Sequence, residues 1–403
     1  MRKSMSLSIS ILLLAVISCS RQEDATVKQR IGRVEKGLME FKSPARMLRP
    51  DSAQIANPRS IEERMKYYNV PGVGIAVVSD YRLEWTRAYG VMNVKTGAPV
   101  TTGTIFEAAS TSKFVTAVMA LSFVEKGLLD LDADVNTHLK SWRVPENRFT
   151  VQEKVTLRRL LTHKAGLPMT NFDRDEKMRY PTLIDVLRGE RPALNKPAVP
   201  EFVPGTKWQY SNVGYDVIQL LLEDVTGRPF QRIAEEVVFS PLGMKSSTFE
   251  YPLDSVKRQY EAMPHDDQGA LREPSMHLTA LTHGGLTTTP TDLALLANEI
   301  MLSYQGRSQK ILSQKMARQL LQKECELDPR MFGLPISMGL GVMLMGEGKE
   351  RLFAHPGSKL PGLNCWLIGW PERGTATIVM TNGANGEVLA MEIITAIIRE
   401  YNK

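Results

Sequence analysis

Phe106-Glu107-Ala108-Ala109-Ser110-Thr111-Ser112-Lys113-Phe114 opens an apolar run that continues through Val115, Ala117, Val118, Met119, Ala120 and Leu121. The run reads as a buried helix extending to about residue 126. Ser110 and Lys113 stand three apart, the spacing that puts two side chains on one helix face. A serine in the first turn then has an amine beside its hydroxyl, within the positive field of a helix N-terminus. A serine oxygen is a weak nucleophile until a neighbouring base takes its proton. A buried lysine supplies such a base, because desolvation disfavours its ammonium form. Ser-x-x-Lys recurs by chance in long chains, so its weight comes from what surrounds it.

Hydrophobic residues make up 43% of the 403 positions and charged residues 23%, the balance of a globular protein with a large core. The net charge of +6 is spread along the chain. No basic run of the kind that binds nucleic acid is present.

The N-terminus reads as a leader. Met1-Arg2-Lys3 is a positive start, Ile11-Leu12-Leu13-Leu14-Ala15-Val16-Ile17 a short apolar core, and Ser18-Cys19 follows. The core is too short to span a bilayer. Val16-Ile17-Ser18-Cys19 resembles a bacterial lipobox, which implies cleavage after residue 18 and lipidation of Cys19. An ordinary signal peptide with an incidental cysteine is the alternative. Residues 19–55 are expected to tether a domain covering 56–403. Cys325 and Cys365 are read as separate buried thiols rather than a disulfide.

Along the domain, Ser60 with Glu63 forms a capping-box pattern for a helix over 57–68. Residues 73–78 and 82–89 read as strands joined at Asp80-Tyr81. Helices are expected at 157–162, 215–226, 230–238 and 290–302, and strands at 339–345, 351–354, 363–369 and 375–381. Residues 387–401 form an amphipathic helix. The resulting class is α/β (α+β). Both chain ends contribute to one antiparallel sheet, and a mainly helical lobe of about 130–330 is inserted between them.

Three short blocks fall in a telling order: Ser110-x-x-Lys113, Tyr210-Ser211-Asn212 and His355-Pro356-Gly357-Ser358. With 160–168 (LLTHKAGLP), 240–244 (SPLGM) and 284–288 (GGLTT), they resemble the serine β-lactamase and penicillin-binding-protein family, in its class C-like branch. That branch includes esterases, D-stereospecific peptidases and DD-peptidases. The resemblance implies Ser110 as nucleophile and Lys113 as its proton acceptor. It implies Tyr210 as the relay to the leaving group and to deacylating water. Which of Lys113 and Tyr210 is the resting base stays open, because the two titrate as a coupled pair. Asn212 would hold the substrate carbonyl or Lys113. The backbone N–H groups of Ser110 and Ser358 would form an oxyanion hole on the His355–Gly357 strand. No cofactor or metal is implied.

One departure bears on substrate. Many family members carry Lys-Thr-Gly where this chain has His355-Pro356-Gly357. Proline lacks both a hydroxyl and an N–H with which to hold a substrate carboxylate. The expected enzyme is therefore an envelope serine hydrolase, lipid-anchored on the periplasmic side. Its substrates would be small esters, β-lactams or peptidoglycan-derived peptides. A silent cell-wall-binding protein is the rival, disfavoured by the intact Ser110, Lys113, Tyr210 and Asn212. His163 is expected to close its loop structurally, and His283 to rim the pocket or pack. His138, His265 and His277 are expected in surface or loop roles without metal-ligand spacing. Trp142 and Trp208 are expected in the core or pocket wall. The absence of Gly-x-Ser-x-Gly disfavours an α/β-hydrolase triad.

Overall fold

A computed structural model describes residues 25–41, 57–170, 173–274 and 279–401. The leader, Cys19 and His277 lie outside the described residues.

The chain begins with α1 (Ala25–Glu35) and α2 (Ile61–Tyr68). The hairpin β1 (Gly72–Ser79) and β2 (Arg82–Asn93) follows, then β3 (Ala98–Pro99) and β4 (Phe106–Glu107). Next come α3 (Ser112–Glu125), α4 (Leu157–Leu161), α5 (Leu183–Arg188), α6 (Asn212–Thr226) and α7 (Phe230–Ala234). After β5 (Thr287–Thr288) lie α8 (Pro290–Tyr304) and α9 (Gln314–Leu320). The strands β6 (Cys325–Glu326), β7 (Ser337–Met338), β8 (Met343–Met345), β9 (Leu352–Lys359), β10 (Leu363–Trp370) and β11 (Thr375–Thr381) close the chain with α10 (Gly386–Tyr401).

The main sheet has nine strands in the order β3-β2-β1-β11-β10-β9-β8-β7-β6. Every pair is antiparallel, and β1 meets β11 with Ile75 opposite Val379. Both chain ends thus share one sheet. Its two faces support separate cores. One face packs against α3, α6 and α8. The other packs against α1, α2 and α10. β1, buried almost throughout, is the continuous apolar strand that two covered faces require.

Local rules account for most boundaries. Ser60 Oγ accepts from the Glu63 N–H at 3.1 Å, and Glu63 Oε2 accepts from the Ser60 N–H at 2.8 Å. The capping box starts α2 at residue 61, so the helix expected from 57 begins later. Asp80 and Tyr81 both take positive φ, as a tight hairpin turn demands. Of the expected strand 339–345 only 343–345 is extended, as β8, and it pairs with β7 across the turn that follows Met338. Gly341 turns at φ +83°, where a Cβ would lie 2.4 Å from the Ala117 methyl. The expected helix 230–238 changes at residue 235 into a π turn ending at Phe239.

The stretch 19–55, expected as a tether, contains a docked helix in its described part. Ile31 and Val34 of α1 are buried. Arg30 pairs with Glu84 and Arg33 with Glu400, both at 2.7 Å, and Arg399 donates to the Gly37 carbonyl at 2.9 Å. Cys325 and Cys365 are free thiols on β6 and β10, with three strands between them. His265, expected in a surface or loop role, is fully buried. Its Nδ1–H donates to the Asn382 carbonyl at 3.0 Å, joining its loop to the end of β11. Trp142 lies in the core. Among the described residues, no helix is long and apolar enough to cross a membrane.

Candidate active site

Ser110 sits in a 3-10 turn, Ala109–Thr111, that leads into α3 rather than within the α-helix itself. Ala109 has φ +46°. That conformation costs an alanine on the order of 1–2 kcal/mol, and such strain gathers at functional sites. Ser112 ties the turn to its surroundings: its hydroxyl donates to the Ala109 carbonyl at 2.6 Å and accepts from the Leu286 N–H at 3.0 Å. Ser110 remains partly open to solvent.

Two proton carriers converge on the Ser110 hydroxyl. Lys113 Nζ lies 3.3 Å from Ser110 Oγ, and Tyr210 Oη lies 2.9 Å from it. Lys113 is completely buried. Its amine donates to the His283 carbonyl at 2.7 Å and stands 4.9 Å from the centre of the Tyr210 ring. Burial pushes the Lys113 ammonium below the ordinary lysine range, against the opposing influence of Tyr210 and Asp216. A hydroxyl flanked by a desolvated amine and a phenol is equipped to lose its proton to one and regain it from the other.

Tyr210 is held from behind. His163, at φ +58°, lies with its ring 4.5 Å from that of Tyr210 and 5.3 Å from that of Tyr215. Its Nδ1 accepts from the Ser211 N–H at 3.2 Å, which fixes the neutral tautomer with hydrogen on Nε2. Burial first, then Lys113 and His355, push its pKa well below the ordinary histidine value. His163 thus closes its loop, as expected, and also backs Tyr210. Trp208 packs 6.0 Å from the His163 ring. Ser211 caps α6 by accepting from the Gly214 N–H at 3.0 Å, which sets Asn212 as the first residue of that helix.

The third wall is β9. β8 pairs with β9 only over Leu352–Ala354, so the edge from His355 to Lys359 faces the Ser110 turn rather than another strand. Gly357 allows that approach, since a Cβ there would lie 2.1 Å from the Ala108 carbonyl oxygen. Thr111 Oγ1 donates to the His355 carbonyl at 3.1 Å and locks strand to turn. The His355 Nδ1–H donates to the Pro356 carbonyl at 2.8 Å. Its pKa is pushed down to about 3, chiefly by burial and then by Lys113, so the ring is neutral at pH 7. The Ser358 hydroxyl donates to Asn364 Oδ1 at 2.9 Å. The structure therefore brings together Ser110, Lys113, Tyr210, His355, Gly357 and Ser358.

Several contacts around the site are not visible in the sequence. Lys359 forms a buried ion pair with Glu107 of β4. Burial opposes charge on both, while their contact favours it. Tyr215 is fully buried and donates to the Leu161 carbonyl at 3.1 Å. Asp216 and His283 meet at 2.8 Å, and both are buried. An acid inside the apolar stretch Val213–Leu222 was the available signal, because a buried carboxylate needs a partner. Among the described residues, no cluster of three or more His, Cys, Asp or Glu could hold a metal ion.

The Beta-lactamase family model matches residues 58–400. The chain belongs to the beta-lactamase family. Family membership supports a serine hydrolase-type function. Among curated relatives, "Protein flp" of Staphylococcus aureus (strain MW2) is 25% identical over 237 residues, covering 58% of this chain and 46% of that protein. A "Putative D-alanyl-D-alanine carboxypeptidase" of Escherichia coli O157:H7 is 29% identical over 228 residues, covering 53% of this chain and 52% of that protein. The chain thus spans about half the length of the curated relatives it matches. The fold is shared with an octameric penicillin-binding protein homologue from Pyrococcus abyssi, at TM-score 0.69 and 24% identity over 82% of this chain and 74% of that one. It is also shared with a penicillin-binding protein from Bacillus halodurans, at TM-score 0.67 and 22% identity over 84% of this chain and 98% of that one.

Proposed function

We propose that this chain is a serine hydrolase that works through an acyl-Ser110 intermediate and prefers small neutral esters. The observation that carries it is the Ser110 hydroxyl within reach of both Lys113 Nζ and Tyr210 Oη. Ser110 Oγ attacks the ester carbonyl while its proton passes to Lys113. The burial of Lys113 favours it over Tyr210 as that acceptor. The new Oγ–C bond gives a tetrahedral oxyanion, which the backbone N–H groups of Ser110 and Ser358 receive. The C–O bond to the alcohol breaks as Tyr210 gives its phenolic proton to the leaving oxygen and takes up the one that Lys113 received. Water then attacks the acyl carbon with the same pair as base, and the Oγ–C bond breaks with return of the proton to Ser110. Asn212 steadies the substrate carbonyl or Lys113.

The preference for neutral esters rests on β9. A penicillin or a D-Ala-D-Ala peptide presents a carboxylate. Pro356 offers it neither hydroxyl nor N–H. The His355 ring is neutral and its Nδ1–H is committed to the Pro356 carbonyl. Lys359 is engaged by Glu107. A missing hydrogen bond to a charged group costs roughly 1.5–3 kcal/mol, or about ten- to a hundredfold in rate. The expected result is ready hydrolysis of p-nitrophenyl butyrate and weak turnover of nitrocefin. Pro356→Thr is expected to shift the ratio of specificity constants about tenfold towards nitrocefin. Wild-type nitrocefin turnover above that of the ester would instead favour a β-lactamase. Release of D-Ala from a D-Ala-D-Ala peptide would favour the activity named for the Escherichia coli relative.

The same reading sets the enzyme at the cell envelope, on the periplasmic side, anchored by a lipid on Cys19. A lipidated cysteine inserts its chains in the bilayer and holds the domain there. α1 begins six positions beyond Cys19, so the folded part would ride close to that surface. Cys19→Ala is expected to move the protein from the membrane to the soluble fraction, read by fractionation and immunoblot. Continued membrane association of the variant would count against the anchor.

A further inference from the structure

Lys113 has one partner that the serine chemistry does not use. Its amine donates to the backbone carbonyl of His283 at 2.7 Å. A free amine has two hydrogens and one lone pair. With a hydrogen committed to His283, the lone pair can aim at the Ser110 hydroxyl 3.3 Å away. The place of that carbonyl therefore sets the aim of the base.

The loop carrying it is tied down on two sides. On the α6 side, the His283 Nδ1–H donates to Asp216 Oδ1 at 2.8 Å, with side chains only 7% and 2% exposed. The Leu281 N–H donates to Gln219 Oε1 at 2.9 Å, and Gln219 Nε2 donates to the Thr279 carbonyl at 2.9 Å. On the α3 side, Thr116 Oγ1 donates to the Thr282 carbonyl at 3.2 Å. Asp216 and Gln219 are the two polar residues buried within an otherwise apolar face of α6, and both bind this loop.

Asp216 also brings charge. The titratable groups around Lys113 are Tyr210, Tyr215 and Asp216 from α6 and the residues before it, His163 after α4, His283 itself and His355 of β9. Asp216 is the carboxylate in this set. Its influence favours the Lys113 ammonium, against the desolvation that disfavours it. The pair therefore does two things to one amine. It fixes the acceptor that orients the nitrogen, and it moderates how far burial strips the proton.

We propose that Asp216, acting through His283, is a positioning pair that sets the aim and the protonation of Lys113. The inference rests on Lys113 serving Ser110 as base. The pair acts on Ser110 through Lys113.

The test is the pH profile of kcat/KM for p-nitrophenyl butyrate, measured on the full chain with thermal melts alongside. Asp216→Asn keeps an oxygen that can accept from His283 and removes the charge. The acid limb, where Lys113 gains its proton, is expected to move to lower pH, and Asp216→Glu is expected to bring it back. A variant that merely loosened the fold would lose rate at every pH without moving the limb. His283→Leu keeps the backbone carbonyl and the Asp216 charge but removes the pin. Its kcat/KM is expected to fall on the order of tenfold, as misplaced catalytic groups do, with no downward move of the limb. An unmoved limb in folded Asp216→Asn overturns the proposal. If that variant does not fold, unchanged kcat/KM in His283→Leu overturns it. Ser110→Ala is assayed in parallel. Activity surviving there refutes the acyl-serine reading itself, a failure distinct from either of these.

Discussion

Ser110→Ala is expected to lower ester turnover by roughly a thousandfold or more and to abolish covalent labelling by a fluorophosphonate. The hydroxyl is the only group removed, and it is partly solvent-facing, so the fold has little to lose. Its partners keep their own anchors. Lys113 retains the His283 carbonyl, and Tyr210 retains its packing on His163. The melting temperature is therefore expected to stay within a few degrees of wild type. Loss of rate with an intact melt separates a missing nucleophile from a damaged fold. Full labelling of the variant would move the nucleophile elsewhere.

Lys113 and Tyr210 carry the second large effect. Lys113→Ala and Tyr210→Phe are each expected to lower kcat/KM by about a hundredfold or more, the scale of lost general acid–base help. Their combination should cost less than the product of the two, because both side chains reach the one Ser110 hydroxyl. Lys113→Met keeps the stem volume in a fully buried site and serves as the cleaner control. The sign of its stability effect follows from linkage. Burial lowers the Lys113 pKa in the folded state, so the unfolded chain binds more protons between the folded and unfolded values. Stability then rises with pH across that window, and Lys113 weakens the fold at pH 7. Lys113→Met is accordingly expected to melt at or above the wild-type temperature while losing activity. Activity depends on pH in the same direction: below the folded pKa the amine carries its proton and cannot accept another. A stable, fully active Lys113→Met would remove lysine from the chemistry.

Much of this site is legible in the linear chain because its key signals are local. Ser110 and Lys113 are three residues apart, Tyr210 and Asn212 two, and His355 and Gly357 two. The block 355–358 lies within β9, which runs past the strand expected at 351–354, but the other two blocks each sit at the start of a helix. Ser60 with Glu63, and Asp80 with Tyr81, fix a helix start and a hairpin in the same way. The sheet built from both chain ends follows from strands flanking a helical block. What was not legible depends on pairs far apart in sequence. Asp216 meets His283 across 67 positions and Glu107 meets Lys359 across 252. No periodicity registers such a meeting. α1 reads as a polar tether because its short apolar side becomes visible only against α10 and β2. The need for glycine at 357 arises from the approach of β9 to the turn, so it appears only once the two are packed. The burial of His265 is hidden from the sequence for the same reason, since its partner Asn382 lies just beyond β11.

The same distinction governs substrate choice. His355 and Pro356 both depart from Lys-Thr-Gly, which leaves Lys359 as a candidate substitute for carboxylate binding. Its pairing with Glu107 weakens that option. A substrate carboxylate would have to displace a buried partner, and separating a buried pair is strongly unfavourable.

The most direct test is mass spectrometry of the purified protein quenched in acid during steady-state hydrolysis of p-nitrophenyl butyrate. An acyl-enzyme predicts a butyryl mass increment on the intact protein, assigned by peptide mapping to Ser110 and missing from Ser110→Ala. A butyryl group mapped reproducibly to another residue, with Ser110 unmodified while hydrolysis proceeds, would contradict the acyl-Ser110 mechanism.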